Sequence, residues 1–151
     1  MKIDPAREFL PQLLEQIPLL QHMGITQCEL GECELVLAAS LAPNVNDKGT
    51  GFGGSLSALA TLSGWALVTL ALERELGRFD VVVRDSQMKY LKPVTADFSC
   101  RVSLPERASW EAFTARLRER GRARVALSIA LYSGDLVACE LEANYTALAT
   151  S

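Results

Sequence analysis

The spacing of apolar residues near the N terminus is helical. Asp4 and Pro5 form a start signal, as N-cap and first helical residue, and Pro18 forms a stop. Pro11 lies between them and predicts either a kink or a later helix start. The apolar face of this predicted helix comprises Phe9, Leu10, Leu13, Leu14 and Ile17.

Alternation of apolar and polar residues follows the first helix. Residues 23–30 and 32–42 each alternate, and Gly31 lies between them as a turn, so the pattern predicts a β-hairpin. The next segment, PNVNDKGTGFGG at 43–54, is rich in Pro, Asn, Asp and Gly. A loop of this length in a compact domain is more often functional than a simple connection.

A run of uncharged residues occupies positions 54–72. A helix this apolar could span a bilayer, which takes about 20 residues, or could be buried on all sides within a soluble fold. Serine and threonine side chains and Gly64 inside the run favour the buried helix, as do the amphipathic segments after it. Gly77 predicts the C-terminal end of this helix.

The second half of the chain alternates with a period of two. Four segments predict strands there: 79–94, 95–105, 121–133 and 135–148. Between the second and third of them, residues 108–120 predict either a short amphipathic helix starting at Ser109 or an extended strand end with a bulge. The whole order of elements predicts an α+β fold with helices on one face of a mostly antiparallel sheet.

Size and composition place the chain among ordinary globular proteins. Its 151 residues, 49% hydrophobic and with net charge -3, predict one domain spanning 1–151 and give no reason to coat nucleic acid. Asp4, Glu8 and Glu15 interrupt the N-terminal segment, which therefore lacks the features of a signal peptide, and we expect a cytoplasmic protein. The four cysteines form no C-x-x-C pair and His22 is the one histidine, so no metal site is predicted.

The glycines of the loop match the pattern G-x-G-x-x-G at Gly49, Gly51 and Gly54. A dinucleotide site would need a strand leading directly into the turn and a parallel βαβ unit. Pro43 and two asparagines intervene, and no crossover helices separate the later strands. At a helix start, however, the same glycines would leave free amides that favour an anion or a developing oxyanion.

Two segments carry a resemblance to a known fold. NVNDKGTGFGGSLSALATLSGW at 44–65 resembles the loop and central helix of hotdog-fold acyl-thioester hydrolases, and MKYLKPVTADF at 88–98 resembles the strand and turn that follow. The similarity covers nearly the whole chain and is nearest to the bacterial thioesterase family related to the C-terminal domain of YiiD. It implies a curved antiparallel sheet wrapped around one long helix, a homodimer or dimer of dimers, and active sites at the subunit interface.

The resemblance also implies roles for residues at the start of the central helix. Asn46 matches an asparagine that lies near the thioester, and Phe52, Gly53 and Gly54 match the family's helix start. The amides of Gly54 and its neighbour would hold the oxyanion. Substrate-binding residues are then Phe52, Gly53, Gly54, Ser55 and Ser57, the serines acting as caps or packing residues rather than as nucleophiles.

Several residues are candidates for activating the water. Thr61 stands where many relatives carry the acid that activates water, and its hydroxyl could order a water but is too weak a base at neutral pH. Asp47 could take the proton if the loop folds over the helix start, or could be an Asx-type turn residue. Asp85, Ser86 and Gln87 could act from a dimer partner, or face solvent.

A group of arginines stands out in a chain of negative net charge. They could hold the phosphates of coenzyme A or of a phosphopantetheine arm, or they could form a solvated helix end and strand start. The group comprises Arg116, Arg118, Arg120, Arg122 and Arg124.

The predicted function is hydrolysis of acyl thioesters of coenzyme A or acyl carrier protein. We expect no cofactor besides coenzyme A as part of the substrate, and neither a nucleic-acid nor a membrane partner. Because Thr61 replaces an acid, a non-catalytic acyl-thioester-binding domain is the alternative. A hydratase or dehydratase is a further alternative that needs a catalytic histidine, for which His22 is the candidate.

Overall fold

The computed structural model describes residues 5–150, with side-chain surroundings from residue 8 onward. Helix α1 spans Pro5–Gln16 and includes Pro11, so the later helix start is excluded, whereas the predicted N-cap Asp4 lies outside the described residues. A 3₁₀ turn at Pro18–His22 follows. Helix α1 packs on the sheet through residues such as Leu13, which is 1% exposed.

Six strands form one sheet, with the spatial order β1-β2-β4-β5-β6-β3. The strands are β1 (Ile25–Leu30), β2 (Glu34–Ala39), β3 (Phe79–Tyr90), β4 (Phe98–Ser103), β5 (Arg122–Ser133) and β6 (Leu136–Ala149). Every neighbouring pair in this sheet is antiparallel. The dinucleotide-binding alternative requires a parallel βαβ unit, and residues 5–150 contain none.

Most strands are shorter than the alternating pattern predicts, and two of them are limited where the chain leaves the extended conformation near Gly and Pro. β1 begins at Ile25, since the preceding Gly24 has a φ of +63°, outside the strand region. β3 ends at Tyr90, ahead of Pro93, which has no amide to donate to a ladder.

Helix α2, Gly53–Glu75, is the central helix. Its length and composition alone would let it cross a membrane, but 61% of that apolar window is buried inside the fold. It packs against five of the six strands, β2 to β6. Gly77 ends it as predicted, with a φ of +114° and an amide that donates to the carbonyl of Leu72 at 2.9 Å.

Helix α3, Arg107–Arg120, settles the alternatives for residues 108–120 in favour of the helix, which starts two residues before Ser109. Its apolar face, including Trp110 and Leu117, is buried against the rest of the core. The indole of Trp110 donates to the Glu75 carboxylate at 3.0 and 3.1 Å, which joins α3 to the end of α2.

A close contact fixes α2 against β6. Tyr145 on β6 is fully buried, and its hydroxyl donates to the carbonyl of Thr61 at 2.7 Å. A Cβ atom at Gly64 would collide with the Tyr145 ring, so the glycine is needed for this approach. The architecture is α+β, a curved antiparallel sheet around one long helix, and it confirms the predicted hotdog fold.

Candidate functional site

The loop before α2 is folded by the side chain of Asn46. Its Oδ1 accepts the amides of Lys48 at 2.9 Å and Thr50 at 3.1 Å. Its Nδ2 donates to the Thr50 hydroxyl at 2.9 Å and to the carbonyl of Gly51 at 3.4 Å. Both the oxygen and the nitrogen of the Asn46 amide are therefore occupied by hydrogen bonds within an Asx-type turn. Through its bond to the carbonyl of Gly51, the side chain also positions that residue.

Two backbone hydrogen bonds then aim the chain into the helix. The amide of Gly51 donates to Val94 at 2.8 Å, and the amide of Phe52 donates to Asn44 at 2.7 Å. Asn44 is itself buried and donates to the carbonyls of Met23 and Ser40, at 2.8 and 2.9 Å. The start of α2 is thus held by hydrogen bonds to residues outside the helix, including the buried Asn44.

The first turn of α2 carries free backbone donors. Phe52 is the N-cap, in an extended conformation with φ -71° and ψ 123°, and its side chain cannot cap. In the described part of the chain, the amides of residues 53–55 have no hydrogen-bond acceptor. These are the amides that a helix leaves unsatisfied, and the helix dipole makes this end partially positive.

Aromatic side chains lie against both glycines at the start of α2. The Phe52 ring lies against Gly54, where an added Cβ would come within 2.8 Å of it. The Tyr90 hydroxyl, from the end of β3, donates to the carbonyl of Gly53 at 2.9 Å. Both rings are about half exposed, at 49% and 54%.

One cavity joins part of the predicted site. It has a volume of about 330 Å³ and brings together Asn46, Gly53, Tyr90 and Lys92. Tyr90 was not predicted as a site residue, although it lies in the MKYLKPV segment. Its contact with Gly53 joins residues 37 positions apart, which no local pattern reveals.

Thr61 lies at a second, apolar cavity on the flank of α2. This groove has a volume of about 460 Å³ and is lined mainly by apolar side chains. Its walls include Leu20, Ala58, Trp65 and Val83. The Thr61 hydroxyl donates to the carbonyl of Ser57 at 2.8 Å, so its remaining capacity is to accept a hydrogen bond.

The backbone carbonyl of Thr61 accepts a hydrogen bond from the hydroxyl of Tyr145. Burial raises the pKa of Tyr145, so its hydroxyl remains protonated at neutral pH and continues to donate to Thr61. The backbone carbonyl of Thr61 is therefore held by Tyr145, which does not line the groove.

The acidic candidates stand apart from both cavities. Asp47 is exposed at the loop tip, and Lys48 contacts its carboxylate at 3.1 Å. In the described part of the chain, Asp47 lines neither cavity.

On β3, Asp85 is paired in register with Asn144, which donates to it at 2.6 Å, on the outer face of the sheet. Ser86 is paired with buried Ala143 and therefore lies on the helix side.

The remaining candidates have structural surroundings. Ser55 and Ser57 are half-buried in the first turns of α2, and neither lines the two cavities. His22 is exposed at the end of the 3₁₀ turn and also lines neither. Within the described residues, no group of three or more His, Cys, Asp and Glu side chains could hold a metal ion.

Comparison with known proteins agrees with this architecture. The family described as "Putative thioesterase (yiiD_Cterm)" matches residues 6–149. A solved structure of unknown function from Chlorobaculum tepidum is 28% identical, with a TM-score of 0.87 over 95% of this chain and 94% of that chain. A "putative thioesterase" from Shewanella oneidensis is also 28% identical, with a TM-score of 0.84 over 97% of this chain and 99% of that chain.

A more distant structure shares the fold. A thioesterase from Haemophilus influenzae is 20% identical, with a TM-score of 0.74 over 98% of this chain and 93% of that chain. The family match covers both the loop with Asn46 and the helix with Thr61. Because it extends over nearly the whole sequence, this chain belongs to the thioesterase family related to the C-terminal domain of YiiD.

Proposed function

We propose that the protein hydrolyses acyl thioesters and that the start of α2 is its oxyanion hole. The observation that carries this proposal is the set of unpaired amides at residues 53–55, of which Gly53 lines a cavity. In the attack on a thioester carbonyl, negative charge develops on the oxygen. Fixed amides at a partially positive helix end stabilise that charge without reorganisation.

The acyl chain lies in the apolar groove beside Thr61. The groove offers almost entirely apolar contact over about 460 Å³, which is within the usual size range of small-molecule sites. Burial of each methylene there contributes about 0.8 kcal/mol to binding. These features support an acyl group of several carbons.

The complete site forms between two copies of the chain. Gly54 and Thr61 are seven residues apart on one helix, which separates them by about 10 Å along its axis. One thioester carbon cannot contact both within a single chain. A homodimer would bring Thr61 of one copy to the helix start of the other, and exposed apolar residues at Phe52, Val82 and Val83 offer a surface for that contact.

Water activation then involves three residues in separate roles. Thr61 accepts a hydrogen bond from the attacking water, because its own proton is engaged by Ser57. Asp47, whose carboxylate is exposed, takes the proton when the loop closes over the helix start. Asn46 is a positioning residue that sets Gly51 and the helix start through the loop.

A second candidate is an acyl-thioester-binding domain without turnover. The observation that favours it is the lack of a carboxylate among the residues lining the apolar groove or the Gly53 cavity. Both functions use the same amides and groove, so turnover separates them.

The test is release of free thiol from acyl-CoA and acyl carrier protein thioesters of increasing chain length. Gly54→Pro and Gly54→Ala form a matched pair, because both add a Cβ against Phe52 and only proline removes the amide hydrogen. A proline at the second helical position is tolerated, and Gly53 before it has no Cβ to clash. We expect Gly54→Pro to be about 10²-fold or more slower than Gly54→Ala.

Equal turnover in the two variants would overturn the assignment of the Gly54 amide. Asp47→Asn and Thr61→Ala in the same assay test water activation, and we expect loss of turnover with retained ligand binding. Binding of acyl-CoA without thiol release by the unmodified protein would select the binding domain instead.

A further inference from the structure

Arginines from two separate parts of the chain, β3 and the junction of α3 with β5, surround one cavity of about 350 Å³. The cavity is lined by Arg84, Arg116, Arg120, Arg122, Ala123 and Arg124. Arg118, the remaining member of the group noted in the sequence, does not line it, and Arg84 comes from β3 instead. No acidic residue is among the lining residues.

The secondary structure explains why these side chains converge. Arg116 and Arg120 are one helical turn apart on α3 and therefore share a face. Arg122 and Arg124 lie on either side of buried Ala123 in β5, so their side chains are on the outer face of the sheet. The register of β3 shifts between Val83 and Asp85, so Arg84 occupies the irregular position.

Four of the five charges of this cavity have no ion pair among residues 8–150. The fifth, Arg84, contacts the carboxylate of Asp85 at 3.8 Å. Like charges one helical turn apart destabilise by about 0.2–0.5 kcal/mol per pair. The carbonyl end of α3 offsets part of this cost at Arg120, but not at Arg122 or Arg124 on the strand.

We propose that this arginine cavity binds the phosphate groups of coenzyme A, which rests on the proposed hydrolysis of acyl thioesters. Guanidinium groups form paired hydrogen bonds with phosphate oxygens and remain charged at all relevant pH values. Coenzyme A carries several phosphate groups, whereas the arm of a carrier protein ends in a single phosphodiester. Five guanidinium groups around one cavity match the larger anion.

The cavity lies within reach of the thioester site. Arg84 and Tyr90 are six residues apart on β3, which places their backbones about 20 Å apart. The pantetheine arm has about 13 bonds between sulfur and phosphorus, equivalent to the backbone of about four residues and so about 15 Å when extended. The length of an arginine side chain covers the difference.

Binding of 3′,5′-ADP, followed by calorimetry, tests the cavity without any turnover. This molecule carries phosphates of the coenzyme A nucleotide but neither the arm nor the thioester. We expect Arg120→Gln and Arg124→Gln each to weaken its binding about 10-fold or more. Arg118→Gln is the matched control, because it removes the same charge from the same helix outside the cavity, and it should leave binding unchanged.

A kinetic comparison separates this proposal from the proposed function. In Arg124→Gln, KM for acyl-CoA should rise about 10-fold, whereas kcat and KM for the corresponding N-acetylcysteamine thioester should not change. Three results would each overturn the proposal: no binding of 3′,5′-ADP, equal weakening by Arg118→Gln, or inorganic phosphate binding as tightly as the nucleotide. Absence of thiol release from both thioesters would refute the hydrolase while leaving the binding result to stand.

Discussion

Gly64 illustrates how one residue without a side chain lets a helix and a strand meet. Alanine is favoured over glycine inside a helix by about 1 kcal/mol, so the helix alone would favour Gly64→Ala. The added Cβ would press on the ring of Tyr145, which is fully buried and has no space to move. Overpacking costs about 1–3 kcal/mol, and displacement of the ring would also break its hydrogen bond to Thr61.

We therefore expect Gly64→Ala to lower the free energy of unfolding by about 1–3 kcal/mol, measured by urea denaturation. Gly31→Ala is a suitable control, because its added Cβ would meet the flexible side chain of Glu34 at 3.3 Å. The packing explanation would fail if Gly64→Ala were as stable as the unmodified protein.

At the scale of elements, α2 serves two purposes along its length. Its first turn presents free amides, and its flank forms one wall of the apolar groove together with the 3₁₀ turn and β3. Ala58 lies between these two regions and is exposed in the groove. A larger side chain there would fill the groove proposed for the acyl chain without altering the amides.

Ala58→Phe should therefore shift the substrate preference toward short acyl chains. We expect the ratio of kcat/KM for long over short acyl-CoA to fall about 10-fold or more, since exclusion of two methylenes from the groove, at about 0.8 kcal/mol each, already accounts for that factor. Ala112→Phe adds the same ring at an exposed position on α3 and should leave the ratio unchanged. An unaltered ratio in Ala58→Phe would remove the acyl chain from this groove.

At the scale of the whole molecule, burial of an ionisable group makes stability depend on pH. Burial raises the pKa of Cys100 above its ordinary value of 9.0, and the neighbouring Cys139 adds to the effect. Below about pH 9 the thiol holds its proton in both the folded and unfolded states. Above that pH the unfolded state loses the proton first, so the free energy of unfolding falls as pH rises.

Urea denaturation between pH 8 and 10.5 tests this expectation, because it gives the slope of the unfolding free energy against pH. The fall in unfolding free energy above pH 9 should be smaller in Cys100→Ala than in the unmodified protein, by up to about 1.4 kcal/mol per pH unit. Cys33→Ala, at an exposed position, should keep the original slope. Identical slopes in all three proteins would contradict the role of Cys100.

The sequence predicts those features of the molecule that depend on local periodicity. The hairpin, the long helix and its end at Gly77, and the alternating strands all follow from spacing and turn residues. The contact of Tyr90 with Gly53 and the approach of Arg84 to the α3 arginines depend on strand order and a register shift. Single-sequence patterns contain no information about either, so both were missed.

The site is predictable only in part for the same reason. The glycines indicate free amides at a helix start, and the structure leaves those amides unpaired. The roles of Asn46, Asp47 and Thr61 stay predictions, because they depend on how the loop and a second copy approach the thioester. A hydroxyl in place of an acid at Thr61 cannot be interpreted from sequence without that geometry.

The position of α2 in the chain has a consequence for the synthesis of the protein. Helix α2 ends at Glu75, and β6, the last strand that covers it, ends at Ala149, which is 74 residues later. At a translation rate of about 5–20 residues per second, the apolar helix leaves the ribosome about 4–15 s before its cover is complete. During that interval the apolar surface of residues 54–72 is exposed, which makes the nascent chain prone to aggregation.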